Sequence, residues 1–192
     1  MKKKRRKLAL AAVLLTVAFA ALIILLSNSK VILKYLYPVK YQEDVYKYSE
    51  EYKIDPLLVF AIIKVESNFN TYAVSNKEAK GLMQITDKTG TWASEILKIK
   101  DFTPSNLFDN RTNIFIGCWY LDRLRSEFDG NMLLAITAYN AGSGRVKDWL
   151  KNKDLSQSGE SLDKIPIVET DNYIKKVLRE YQIIKYIYGN EG

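Results

Sequence analysis

The sequence predicts an all-α (mainly α) chain, one helical domain preceded by a single N-terminal transmembrane helix. Three observations carry this reading. An apolar run from Leu8 to Leu26, broken only by Thr16, follows a basic cluster. Beyond it, apolar and aromatic residues recur three and four positions apart, the period of one helix face. No stretch demands a strand.

Residues 1–7 hold Lys2, Lys3, Lys4, Arg5, Arg6 and Lys7, a basic segment expected in the cytoplasm by the positive-inside rule. Residues 8–26, at ~1.5 Å per residue, span roughly 29 Å, which matches a bilayer core. A cleaved signal peptide is the competitor, because Ala18-Phe19-Ala20 resembles a small-residue cleavage site. The apolar run continues through Ala21 to Leu26, which favours an uncleaved signal-anchor. The expected location is therefore the cell membrane, single-pass, with the working domain extracytoplasmic. Residues 27–40 read as a juxtamembrane linker, in which Tyr35 and Tyr37 suit an interfacial position or plain linker equally and Pro38 breaks the segment. The folded domain is expected over 41–192.

Within that domain Tyr41, Val45, Tyr48 and Tyr52 recur at helical spacing among charged residues, giving a first amphipathic helix whose tyrosine stripe reads as core. Asp55 can cap the next helix and Pro56 suits its first position. From Leu57 to Val65 this helix is apolar on nearly every face, so it belongs in a core, and it ends at Glu66-Ser67. Asn68 to Lys80 loses helical periodicity and reads as loop or short turns. Thr86 to Leu97 reads as a helix with Trp92, Ile96 and Leu97 facing inward. Asn113 suits the cap of a third long helix carrying Ile114, Gly117, Leu121, Leu124 and Phe128, where Gly117 suggests close helix contact. Asp129-Gly130-Asn131 makes a turn, Met132 to Tyr139 is a further apolar helix, and Asn140 to Gly144 ends it. Val146, Trp149 and Leu150 suit a short helix, Asn152 to Lys164 a polar loop, and Glu169 to Tyr188 a final helix with Tyr173, Val177, Tyr181 and Ile184 on one stripe.

Composition narrows the chemistry. The chain of 192 residues carries a net charge of +7, yet the N-terminal cluster supplies six positive charges, which leaves 23 basic against 22 acidic residues elsewhere. A nearly neutral domain argues against nucleic acid as a partner. Cys118 is the single cysteine, so neither an internal disulfide nor a cysteine metal cluster can form. Histidine is absent, which excludes histidine triads, histidine metal sites and imidazole acid-base catalysis. No phosphate-cradling glycine loop is present. Carboxylates are left as the leading acid-base groups.

Glu66 is the carboxylate of interest. It lies one turn beyond Ile62 and Ile63, so it points along their face toward an apolar site, where burial would raise its pKa toward roughly 6. On this stretch alone, the ordinary reading is a solvated glutamate at a fraying helix end.

Three further signals change that balance. Glu66-Ser67, Gly81-Leu82-Met83-Gln84, Ala138-Tyr139-Asn140-Ala141-Gly142, and Pro166 followed by Glu169-Thr170 and Tyr173 occur in one order. Together they resemble the lytic transglycosylases of the soluble lytic transglycosylase type, which have a lysozyme-like helical domain. The resemblance spans about Tyr41 to Tyr188, and one departure is Asp87, where the family often has proline. It implies that Glu66 is the catalytic acid and base. It also implies that Ser67, Met83, Gln84, Tyr139, Asn140 and Tyr173 contact or position substrate, with Gly81, Glu169 and Thr170 in support. The implied reaction cleaves the β-1,4 bond between N-acetylmuramic acid and N-acetylglucosamine in peptidoglycan, needs no metal or cofactor, and leaves 1,6-anhydro ends. Two alternatives stand beside it: a goose-lysozyme-like muramidase that uses water, and a glycan-binding or assembly protein that no longer catalyses. The expected partners are peptidoglycan glycan strands, the membrane through the N-terminal helix, and, equally open, a secretion, conjugation or cell-wall machinery.

Overall fold

The computed structural model describes residues 2–27 and 29–189, without the side chains at positions 8, 12, 21, 22, 24–27 and 29. The chain divides into two compact units, Met1–Pro38 and Val39–Gly192.

The first unit holds α1 (Lys2–Ser27) and α2 (Ser29–Leu36). Among the described residues no helix is long and apolar enough to cross a membrane. Several side chains of the 8–26 run, Leu8, Leu25 and Leu26 among them, lie outside the described ones. Where the sequence suggested linker over 27–40, α2 is helical, and the chain leaves it before Pro38.

The second unit is built from α3 (Gln42–Glu51), α4 (Pro56–Ser67), α5 (Asp87–Leu97), a 3-10 turn (Pro104–Phe108), α6 (Asn110–Glu127), α7 (Met132–Ala141), α8 (Ser143–Lys151) and α9 (Val168–Tyr188). Among the described residues β pairing is limited to the isolated bridges Val74 to Lys80 and Lys80 to Ile85. Helix α4 is the central strut. Val59, Phe60, Ala61, Ile62 and Ile63 are fully buried, as a helix apolar all round requires. Each large side chain among them is worth about 1.5–3 kcal/mol of burial. Asp55 caps α4 by accepting from the Leu57 N–H at 2.8 Å, and its second oxygen accepts from the Tyr181 hydroxyl at 2.6 Å. One carboxylate thus starts α4 and fastens α9, the helix that packs most extensively along it. Helix α4 stops at once after Ser67, because Asn68 and Phe69 both turn left-handed, at φ 51° and 61°.

Helix α6 buries Ile114, Gly117, Leu121 and Leu124 in the expected stripe, α7 packs beside it, and α8 packs on α7. Two expectations are corrected. In α5 the inward face is Gly90, Ala93 and Ser94, while Trp92 and Ile96 stay 38% and 49% exposed and Leu97 is half-buried. Small residues let α5 approach closely, with Phe102 and Leu107 pressed against the Gly90 position, so the large apolar side chains are left at the rim. Nor is Asn113 a cap. Helix α6 begins earlier, capped by Asp109, which accepts from the Thr112 N–H at 2.8 Å, and Asn113 lies inside it, fully buried.

Candidate active site

The Gly81-Leu82-Met83-Gln84 stretch forms a turn, and it holds the site together. Gly81 has φ 76°, and a Cβ there would lie 2.2 Å from the Leu107 carbonyl oxygen and 2.3 Å from Asn113 Nδ2, so only glycine fits. Asn113 reaches across from α6: its Oδ1 accepts from the Met83 N–H at 2.7 Å, and its Nδ2 donates to the carbonyls of Leu107 and Lys80 at 2.7 and 2.9 Å. Two buried backbone groups, the Met83 N–H and the Leu107 carbonyl, are thereby satisfied by one side chain, and the Lys80 carbonyl, which also accepts from the Ile85 N–H, gains a second bond. The departure at Asp87 is accommodated locally, since Thr86 caps α5 and Asp87 pairs with Lys80.

Glu66 stands in the last turn of α4, on the wall of a cleft of about 480 Å³ that Gln84, Thr86, Tyr139, Asn140 and Glu169 also line. The Tyr173 hydroxyl, from α9, donates to Glu66 Oε1 at 2.7 Å. Burial of the carboxyl pushes its pKa up to about 7, and the Tyr173 hydrogen bond works in the opposite sense. That is higher than the value near 6 expected from sequence. Burial, followed by the charge of Glu66, raises the phenols of Tyr139 and Tyr173 well above their ordinary value, so both keep their protons and donate.

The remaining sequence-selected residues divide by what they touch. Tyr139 donates to the Met83 carbonyl at 2.8 Å, which ties α7 to the turn. Asn140 Oδ1 accepts from the Thr170 hydroxyl at 2.8 Å, which ties α7 to the start of α9, and Thr170 is buried. Gln84, at φ 50°, donates to the carbonyls of Gly81 and Ala73 at 2.9 and 3.1 Å. Ser67 donates to the Leu82 and Ile63 carbonyls at 2.8 and 3.1 Å, so its hydroxyl proton is engaged by protein. Met83 is corrected: its side chain is fully buried, filling the hollow at Gly117, where a Cβ would sit 2.2 Å from Met83 Sδ. It supports the cleft from behind and does not line it.

Glu169 is the second carboxylate lining the cleft. Its side chain is 70% exposed and pairs with Lys77 at 3.4 Å across the opening. The cleft therefore holds one enclosed carboxyl that exchanges its proton near neutrality, against one exposed ion-paired carboxylate. A larger depression, about 820 Å³, lies elsewhere, between Phe128, Lys147 and the 158–161 loop, and contains none of the motif residues. The sequence reading missed Asn113, Lys77 and Tyr120 as site residues. Only Asn113 carried a signal, an amide within an apolar helical stripe.

The model of the Transglycosylase SLT domain matches residues 44–160. The chain is 33% identical over 157 residues to the soluble lytic murein transglycosylase of Escherichia coli K12, covering 81% of this chain and 24% of that protein. It is 40% identical over 116 residues to the membrane-bound lytic murein transglycosylase C of Edwardsiella ictaluri, covering 56% of this chain and 32% of that protein. The crystal structure of the 70-kDa soluble lytic transglycosylase from Escherichia coli superposes with a TM-score of 0.72 at 32% identity, over 83% of this chain and 26% of that one. The chain thus spans about a quarter of the length of the soluble relative.

Proposed function

The chain belongs to the transglycosylase SLT-domain family, and on that premise we propose that it is a membrane-anchored lytic transglycosylase that cleaves the MurNAc-β-1,4-GlcNAc bond of peptidoglycan and leaves 1,6-anhydro-MurNAc ends. The observation that carries this reading is the enclosed Glu66 carboxyl, raised to about 7 and held by Tyr173. Tyr173 occupies Oε1, which leaves Oε2 for substrate. Protonated Glu66 gives its proton to the departing glycosidic oxygen as the C1–O bond breaks and C1 gains oxocarbenium character. The ionised carboxylate then takes the proton of the same sugar's C6 hydroxyl as that oxygen closes on C1. One bond breaks, one forms, Glu66 regains its proton, and no water is consumed. A pKa near neutrality suits a group that must be acid and then base.

A two-carboxylate hydrolase needs a second carboxylate placed across the bond from the acid. Glu169, exposed and engaged by Lys77, is poorly suited to that duty. In the proposed scheme Tyr139, Asn140 and Gln84 meet the substrate along the cleft walls. Ser67, Gly81, Met83, Glu169 and Thr170 hold those walls in place. Loss of soluble muropeptide release in Glu66→Gln, with glycan binding retained, tests the assignment; turnover by that variant would overturn it.

The anchor rests on the apolar run 8–26 behind six basic residues and on the exposure of Leu10, Val13, Leu14, Leu15, Val17 and Phe19 along α1. It places the N-terminus in the cytoplasm and the domain outside, within reach of the wall and of any secretion, conjugation or cell-wall machinery. Fractionation of cells producing the full chain or a version lacking residues 1–38 checks this. The full chain is expected in the membrane fraction, and the shortened one is not.

A further inference from the structure

The aromatic side chains form a run that leads out of the cleft. Tyr139, on the cleft wall, lies 5.4 Å ring to ring from Tyr120. Tyr120 meets Trp92 edge-on at 6.4 Å, and Trp92 packs on Trp119 at 4.8 Å. Tyr120 lines a second lobe of about 380 Å³ that shares Gln84, Thr86, Tyr139 and Asn140 with the Glu66 lobe. At the end of the run Trp92 stays 38% exposed, although Gly90, Ala93 and Ser94 already supply the buried face of α5. The exposed Arg123 guanidinium stands over the Trp92 ring, 5.7 Å from its centre.

An exposed indole one ring beyond the lobe that Tyr120 lines has a specific chemical use. The C–H face of a pyranose packs on an aromatic face, while the hydroxyl and acetamido oxygens at its edge seek donors of the kind a guanidinium provides. The apolar patch is two residues, Trp92 with Ile96 one turn on, against the roughly 20–30 residues a side of a stable protein interface. It is of a size for one sugar ring. Its continuity with the cleft through Tyr120 favours a further unit of the strand already bound there.

We propose that Trp92, with Arg123 over its ring and Tyr120 as the link, is a distal saccharide subsite that holds an amino-sugar unit of the same glycan strand away from the cleaved bond. This inference rests on the glycan-cleaving reading above. In it Trp92 is a specificity-determining residue, since a strand too short to reach it gains nothing from it, and the enzyme favours long strands over short ones.

The test uses the full-length chain carrying Glu66→Gln, so that no strand is cut, and calorimetric binding of peptide-free peptidoglycan glycan strands, short and long. Affinity rises with strand length. Trp92→Ala in that background reduces the gain about three- to tenfold, the size expected of one lost ring contact, and Trp92→Phe restores most of it. A length-dependent gain that survives intact in Trp92→Ala, or a Trp92→Phe variant as poor as Trp92→Ala, overturns the subsite while leaving the catalytic assignment standing. Absence of glycan binding by the Glu66→Gln protein at every length would overturn both.

Discussion

Across 107 positions of sequence, the hydroxyl of Tyr173 donates a 2.7 Å hydrogen bond to Oε1 of Glu66. The bond favours the ionised carboxylate, against a larger effect of burial that favours the proton. Glu66 therefore sits near neutrality as a balance of two opposed effects. Removing the weaker one has a definite sign.

Tyr173→Phe takes away the stabilisation of the carboxylate and leaves the burial, so the Glu66 pKa moves up from about 7. The limb of the pH–rate profile governed by loss of the proton from Glu66 shifts to higher pH, and the rate at its plateau falls. Muropeptide release measured across pH checks this. A shift to lower pH would contradict the assigned balance.

The same pKa makes a stability claim. An exposed glutamate ionises near 4.5, and Glu66 in the folded chain near 7. Between those values the unfolded state holds fewer protons than the native one, so stability falls as pH rises through the window. Glu66→Gln cannot ionise and escapes the loss. It is expected to gain about 2–3 kcal/mol on wild type between the acid and alkaline sides of the window. Urea unfolding at pH 5 and pH 8 measures the difference, and a gap independent of pH would refute it.

Gly81→Ala meets both a positive φ and atoms at 2.2 and 2.3 Å, one of them backbone. The expected loss is about 3 kcal/mol or more, with activity falling because the turn carries the Met83 carbonyl to Tyr139. Gly144→Ala is the control, since nothing lies within 4 Å of its Cβ position. Chemical denaturation of both variants gives the comparison.

Asn113→Ala leaves the Met83 N–H and the carbonyls of Lys80 and Leu107 without this partner. The Lys80 carbonyl keeps its bond from the Ile85 N–H, so two buried groups are left unsatisfied; at ~1–3 kcal/mol for each, and with losses that do not add fully, about 2–4 kcal/mol is expected. A loss below about 1 kcal/mol in thermal or urea unfolding would show that the turn is held by something else.

How far the sequence alone led depends on whether the signal was local. Helix α4 was legible because its cap, its proline and its apolar run are contiguous, and the stripe on α6 was legible because period and burial coincide. The inward face of α5 was not, since Gly90, Ala93 and Ser94 carry no hydrophobic signal and Trp92 and Ile96 carry a misleading one. Asn113 before an apolar run reads as a cap until Asp109 is seen to occupy that place. The burial of Met83 depends on Gly117, a partner 34 positions away that no periodicity pairs with it. Likewise nothing in the residues themselves joined Tyr173 to Glu66.

In the proposed scheme one carboxyl, Glu66, serves first as acid and then as base, with the sugar's own C6 hydroxyl as nucleophile. Mass analysis of the muropeptides released from purified peptidoglycan tests it most directly. Wild type is expected to give muramoyl ends lighter by one water than hydrolysed ones, and Glu66→Gln to give none. Exclusively reducing muramic ends from the wild-type protein would show that water is the nucleophile and would contradict the claim.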